Sequence, residues 1–191
     1  PILAETRAKH GDEATHALVN AVGTVLFGAV ALTCVLGVAG APFVVWAMAS
    51  GLKESGGFDA AVVMTRWMFP YIGFMSLVAL SAGVLNTFGR FAVPAVTPVL
   101  LNLCVIGAAL GVSPAFREHG IEPVYALAVG VMVGGALQLA IQVPALWKIG
   151  MVPRIGLTPS AWRKARAHPG VGRVLMLMAP AILGVSVAQL S

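Results

Sequence analysis

Long runs without a charged residue dominate the chain. No Asp, Glu, Lys or Arg occurs within residues 14–52, 67–89, 91–116, 123–147 and 174–191. A helix needs about 20 mainly apolar residues to cross the roughly 30 Å hydrocarbon core of a bilayer. The pattern therefore predicts an all-α integral membrane protein, a bundle of about five transmembrane helices of which four are complete and the fifth is truncated.

We place these spans at residues 17–42, 67–88, 91–112, 124–147 and 174–191 and name them A to E. The run that contains span A is too long for one untilted helix and too short for two helices with a turn. Gly37, Gly40 and Pro42 are expected to end its helix, because proline lacks the N–H that a helix needs. The sequence FVVWAMAS that follows would then lie at the membrane interface, anchored by Trp46.

The basic residues predict the orientation of the chain. The connection between spans D and E contains no acid and six basic residues, namely Lys148, Arg154, Arg163, Lys164, Arg166 and Arg173. Because Lys and Arg accumulate in cytoplasmic loops, this connection is expected inside the cell. Alternation of the spans then places residues 1–16 and Arg90 on the same side. The inner side would carry nine of the twelve basic residues. Arg90 and the six basic residues between spans D and E need only a topogenic role, which means that they orient the spans.

These assignments divide the chain into four parts. They are a cytoplasmic segment (1–16), a four-span bundle (17–147), a basic cytoplasmic loop (148–173) and the start of the next transmembrane helix (174–191). Within the loop, Thr158 followed by Pro159 resembles a helix start. The sequence SAWRKARAH is therefore either a short interfacial helix with Trp162 at the headgroups or a solvated basic linker. The chain also lacks an initiating Met, and we expect it to be an internal fragment of a longer protein.

Several kinds of chemistry are disfavoured by the same pattern. Cys34 and Cys104 lie in different apolar runs, where packing is the better interpretation than a disulfide or a metal site. All four histidines fall in or beside the polar connections, so we expect no metal and no cofactor. The net charge of +5 reflects membrane topology, because the basic residues lie beside spans and are not interleaved with exposed aromatic residues as in nucleic-acid-binding proteins.

Prolines gather toward the predicted cytoplasmic ends of three spans: Pro94 and Pro98 in span C, Pro144 in D and Pro180 in E. A proline inside a helix leaves a carbonyl without its donor, and such breakable ends could open and close around a cavity. These four residues are our gating candidates. Pro94 and Pro180 can equally be ordinary first-turn prolines.

Small and amide residues predict how spans C and D pack. Gly107 and Gly111 in C, and Gly130 and Gly134 in D, have the spacing of close helix pairs, which indicates a tight hairpin. The amides Gln138 and Gln142 share one helix face and, with Asn102, could line a hydrophilic cavity for substrate. Interhelical hydrogen bonds are an equally good explanation. No span has a central charge that would indicate a proton relay or an ion-coupling site.

Three stretches resemble the MurJ/MviN family of lipid II flippases: MFPYIGFMSLVALSAGVLNTFGRFAVPAVTPVLLN, YALAVGVMVGGALQLAIQVPALWKIGM and LMAPAILGVSVAQLS. The initial PILAE resembles the segment after that family's second helix, so the resemblance covers nearly the whole chain. It implies a two-lobe transporter of the bacterial inner membrane, in which spans A to D are the third to sixth helices and residues 148–173 connect the lobes.

The same resemblance implies a function. Such a protein moves a lipid-linked peptidoglycan precursor of the undecaprenyl-pyrophosphate type to the outer leaflet by alternating access. The family's cavity arginines lie in helices outside this chain, so neither Arg66 nor Arg90 takes that role, and activity would need the rest of the protein. The alternatives are an exporter of drugs or polysaccharides from the same superfamily, a membrane-embedded enzyme, and a scaffold that transports nothing.

Overall fold

The computed structural model describes residues 2–49, 51 and 56–178. Seven helical elements follow one another in these residues, and a π-helical turn, Ala108–Val112, joins the third to the fourth. The first of them consists of two helical segments, because Gly11 interrupts it with a φ of 81° and a ψ of −175°. The helices are α1 (Ile2–Met48), α2 (Phe58–Thr87), α3 (Ala92–Gly107), α4 (Ser113–Glu118), α5 (Tyr125–Lys148), α6 (Pro159–Arg166) and α7 (Pro169–Met178).

Four helical stretches are long and apolar enough to cross a membrane: α1, α2, α5, and α3 with α4 taken together as Ala92–Glu118. The described residues contain no strand. Both findings confirm the all-α class and the four complete spans. Span E is described only as far as Met178, the last described residue of α7, and Pro180 lies outside the described residues.

The chain forms two compact units. One, the loop unit, contains residues 1–28 and 151–191, and the other, the span unit, contains residues 29–150. Helix α1 contributes residues to both. The predicted division after residues 16, 147 and 173 concerns membrane topology and stays a prediction. Within the loop unit, residues 16–28 of α1 pack against the basic loop, a contact that hydropathy along the chain cannot indicate.

Helix α1 does not end near Pro42, and the prediction that it does was wrong. The helix continues through the proline to Met48. Its last turns are held by α2, because Ala41 and Val45 form a buried cluster with Val62. Burial of this apolar face outweighs the one backbone hydrogen bond that the proline removes.

A glycine in α1 serves close packing within the span unit. A side chain on Gly37 would collide with the ring of Phe69 in α2, so this glycine lets the two helices approach each other. Nearby, the thiol of Cys34 donates a hydrogen bond of 3.1 Å to the carbonyl of Phe69. Gly37 and Cys34 thus join α1 to α2, and the cysteine is a packing residue as predicted.

The turn between α2 and α3 contains Arg90, as the sequence predicts. Gly89 has a φ of 72°, the left-handed conformation that favours glycine after a helix. The N–H of Gly89 donates to the carbonyl of Asn86 at 3.1 Å, and the N–H of Arg90 donates to the carbonyl of Leu85 at 2.8 Å. This pair of bonds is the Schellman arrangement, so the glycine ends the helix and Arg90 follows it, exposed.

Span C is longer than predicted, since helical structure continues past residue 112 to Glu118. The π-helical turn lies directly before Pro114. There the N–H of Ser113 bonds to the carbonyl of Ala108, five residues back instead of four. A wide turn of this kind gives room for the proline ring within a helix.

Helix α5 packs against both α2 and α3 in the span unit. A Cβ on Gly130 would lie 2.8 Å from the Cβ of Ala108 and 3.0 Å from backbone atoms of α3, and a Cβ on Gly134 would lie 2.8 Å from Leu101. The tight hairpin of spans C and D is therefore confirmed. The expected part of Gly107 and Gly111 in it was wrong, because both face open space.

Candidate functional site

Two glutamines of α5 are among the most buried polar residues of the described chain. Gln138 is 2% exposed and Gln142 is fully buried. The Nε2 of Gln138 donates to the backbone carbonyl of Thr97 in α3 at 2.8 Å, and the Nε2 of Gln142 donates to the backbone carbonyl of Gln138 at 3.3 Å. Gln138 therefore forms the interhelical hydrogen bond that the sequence suggested as one of two alternatives. Asn102, by contrast, is exposed on α3 and does not share the burial of the two glutamines.

Each glutamine keeps one side-chain oxygen without a partner. The Oε1 atoms of Gln138 and Gln142 are buried and accept no hydrogen bond in the described structure. Rotating either amide would put its oxygen against a carbonyl oxygen, so the donor assignments are determined by their acceptors. The α3–α5 contact thus contains an interhelical hydrogen bond, and the two unpartnered oxygens reduce the net stability that these buried amides contribute.

The proline pair of span C lies beside this contact. Pro98 lies inside α3 and cannot donate to the carbonyl of Pro94, four residues back. The hydroxyl of Thr97 donates to that carbonyl instead, at 2.8 Å, and Thr97 is 5% exposed. Pro94 is the third residue of α3, which agrees with a first-turn proline.

Pro144, the gating candidate of span D, lies inside α5 near its end. The helix continues beyond it to Lys148. The side chain of Pro144 is exposed, in contrast to the glutamine two residues before it. Its gating role stays a prediction.

A second polar arrangement lies in the loop unit and joins α1 to the basic loop. Nε2 of His16 lies 3.1 Å from the carbonyl oxygen of Val152. A carbonyl oxygen only accepts hydrogen bonds, so the histidine nitrogen is the donor. The backbone N–H of Arg154 donates to Oδ1 of Asn20 at 2.7 Å, and that of Gly156 donates to Oγ1 of Thr24 at 3.0 Å. We call these three bonds the ladder.

The ladder is regular for a geometrical reason. Four residues of helix rise about 6 Å, and two residues of extended chain rise about 6.6 Å. Side chains at positions 16, 20 and 24 of the helix therefore match backbone groups at positions 152, 154 and 156. The ladder was not predicted from the sequence. The feature that could have indicated it is a polar residue at every fourth position, His16, Asn20 and Thr24, at the start of an otherwise apolar run.

Helix α6 follows the ladder, so the loop contains the short helix that one of the two interpretations predicted. Its position at the membrane interface stays a prediction. Thr158 is its N-cap and accepts a hydrogen bond from the N–H of Ala161 at 3.3 Å. Ala165 is buried with Ala21 and Val171 in a small apolar core. A Cβ on Gly28 would collide with the indole of Trp162, so this glycine makes room for the tryptophan.

The basic residues of the loop unit have different surroundings. Arg173 pairs with Glu5 at 3.1 Å, and Lys9 pairs with the same carboxylate at 2.9 Å. The hydrogen bond from Lys9 and the charges of Arg173 and Lys9 lower the pKa of Glu5. The guanidinium of Arg166 stacks over Trp162 at 5.0 Å. The Glu5–Arg173 pair connects residues 1–16 to the basic loop, as expected if both lie on one side of a membrane.

Similarity to known proteins agrees with this architecture. The sequence profile of the family described as "Lipid II flippase MurJ" matches residues 1–191. The chain is 55% identical, over its whole length, to the lipid II flippase MurJ of Burkholderia cenocepacia. It is 33% and 34% identical, again over its whole length, to proteins named probable lipid II flippase MurJ in Haemophilus influenzae and Vibrio cholerae.

The chain belongs to the MurJ lipid II flippase family. This confirms the resemblance inferred from the sequence, and with the four spans it identifies a multi-pass protein of the bacterial inner membrane. The chain covers 36% or 37% of the length of these three MurJ relatives. It is therefore similar to about a third of each.

The buried polar residues of the chain are all neutral in the part that the structure describes. They are Thr15, Thr24, Ser81, Thr97, Gln138 and Gln142. Five of them, all except Ser81, have a described side-chain hydrogen bond. In each case the partner is a backbone group of the same helix, of a neighbouring helix or of the loop. These polar groups hold helices and loop together.

Proposed function

We propose that this chain is the part of a lipid II flippase that carries the third to sixth helices and the connection between its two lobes. The complete protein would move lipid-linked peptidoglycan precursor, with its undecaprenyl-pyrophosphate anchor, from the inner to the outer leaflet by alternating access. The observation that carries the proposal is the match to the MurJ family along all 191 residues, with 55% identity to a relative of that name. Transport without chemical conversion of the substrate is part of the proposal.

Within that function the described segment has a supporting role. Its buried glutamines and its ladder hold elements in place by bonds to backbone groups. A pyrophosphate needs positive charge, and in the described residues no basic side chain is buried: Arg7 is half-buried and the others are exposed. Asn102, which is exposed on α3, is a candidate for contact with the substrate. Pro94, Pro98 and Pro144 remain candidates for gating.

The proposal is tested with the full-length protein in a bacterial strain depleted of its own flippase. Growth should return, and lipid II should become accessible to a cleaving enzyme added outside the cells. The vector without insert is the control. Growth without externally accessible lipid II, or restored export of another polysaccharide in its place, would contradict the proposal and favour an exporter of the same superfamily.

A further inference from the structure

Helix α6 has two faces of opposite character. Trp162 and Ala165 point toward α1, where Gly28 and Ala21 receive them. Arg163 and Lys164 lie on the exposed side. Because Thr158 caps the helix and the apolar face is held by packing, the exposed face is a preformed surface and not a flexible run of charges.

Among the residues that the structure describes, no acidic side chain pairs with the charges on this face. The described residues include three ion pairs, and none contains Arg163 or Lys164. The two side chains border an open concavity of about 650 Å³, together with Ser160, Ala161 and Ala167. Two cations and a hydroxyl group around one concavity suit an anion with several oxygen acceptors, which is the chemistry of a phosphate.

The surroundings of this surface favour a lipid as the source of that phosphate. Helix α7 begins three residues after α6 and belongs to the same compact unit. Its side chains Leu175, Met176 and Leu177 are 55%, 76% and 61% exposed. A basic face followed closely along the chain by an exposed apolar helix fits the boundary between phospholipid headgroups and acyl chains.

We propose that Ser160, Arg163 and Lys164 form a binding surface for the phosphate of anionic phospholipid headgroups. The surface would hold α6 against the membrane and so hold the loop that the ladder attaches to α1. Binding at this surface does not require flipping, so the proposal can fail or succeed independently of the function proposed above.

The test measures binding of short-chain phosphatidylglycerol and short-chain phosphatidylcholine to the purified, delipidated full-length protein in neutral detergent. The wild-type protein should prefer the anionic lipid about tenfold, and Arg163→Gln/Lys164→Gln should lose most of that preference. The matched control is Lys148→Gln/Arg154→Gln, which removes the same charge from exposed positions outside α6 and should keep the preference.

Three outcomes would overturn the proposal. The first is an unchanged preference in Arg163→Gln/Lys164→Gln, and the second is an equal loss in the control, which would indicate an effect of net charge alone. The third is displacement of the lipid by an equal concentration of inorganic phosphate, which would make the ligand a free anion. If the double variant does not fold, the same measurement is made on Lys164→Gln alone. Its preference for phosphatidylglycerol should fall about threefold, and an unchanged preference would overturn the proposal.

Discussion

The hydroxyl of Thr97 donates a 2.8 Å hydrogen bond to the carbonyl of Pro94, the acceptor that Pro98 leaves without its helical donor. The carbonyl of Thr97 itself receives the amide of Gln138 from α5 at 2.8 Å. One residue therefore repairs the proline break in α3 and connects α3 to α5. Neither of these two hydrogen bonds is evident from the sequence alone.

Thr97→Val should destabilise the protein by about 1 kcal/mol, because it removes the hydrogen bond that the hydroxyl donates to the carbonyl of the half-buried Pro94. Valine has nearly the shape of threonine, so packing is little changed. The measurement is the thermal unfolding midpoint of the full-length protein in detergent. Pro98→Ala in the Thr97→Val background supplies a new backbone N–H and should recover part of the loss. If Thr97→Val lowers the unfolding midpoint equally with proline and with alanine at position 98, the hydroxyl does not replace the donor that Pro98 lacks.

Pro98→Ala alone separates gating from folding. Alanine restores the missing backbone hydrogen bond, so the unfolding midpoint should stay the same or rise. If Pro98 helps α3 to bend during transport, the full-length variant should nevertheless flip lipid II less well. Complementation of a depleted strain measures this, and normal growth at a normal level of protein would argue against a gating role for Pro98.

Gly130→Ala should lower the unfolding midpoint, because the new Cβ would lie 2.8 Å from Ala108 and 3.0 Å from backbone atoms of α3, which cannot move aside easily. Gly111→Ala is the matched control. It adds the same methyl group where nothing lies within 4 Å and should be neutral or stabilising by up to about 1 kcal/mol. Similar midpoints for the two variants would show that the helix contact is looser than described.

The ladder can be tested one bond at a time by hydrogen exchange. Asn20→Leu removes the acceptor for the N–H of Arg154, and Thr24→Val removes the acceptor for the N–H of Gly156. Each variant should accelerate exchange at its own amide more than at the other, because the remaining bonds still hold the segment. Exchange that rises equally along residues 152–156 in both variants would mean that the segment detaches as one piece.

Orientation is tested by thiol labelling in intact cells. Ser160→Cys lies in the basic loop, so a membrane-impermeant reagent should not reach it from outside, whereas permeabilised cells should be labelled. His119→Cys, exposed in the turn after α4, is predicted on the outer side and should be labelled in intact cells. The reverse pattern would invert the topology inferred from the basic residues.

Much of the fold could be predicted because membrane insertion depends on composition along the chain. Runs without charge located the four spans, Thr158 with Pro159 indicated α6, and Gly130 with Gly134 indicated the tight hairpin. The errors have a common origin. The continuation of α1 past Pro42 depends on the contact of Ala41 and Val45 with Val62. Gly107 and Gly111 make no close contact because α3 turns a different side toward α5.

By itself the sequence determined the number of spans, their charge asymmetry and the family, since these follow from residue types in linear order. Only the tertiary structure decided that His16, Asn20 and Thr24 hold residues 152–156, and that Gln138 is bonded to α3 while Asn102 is exposed. The physical reason is that a polar side chain in an apolar run must find a hydrogen-bond partner, but its partner is chosen by distance in space. For the ladder, that partner lies more than a hundred residues away along the chain.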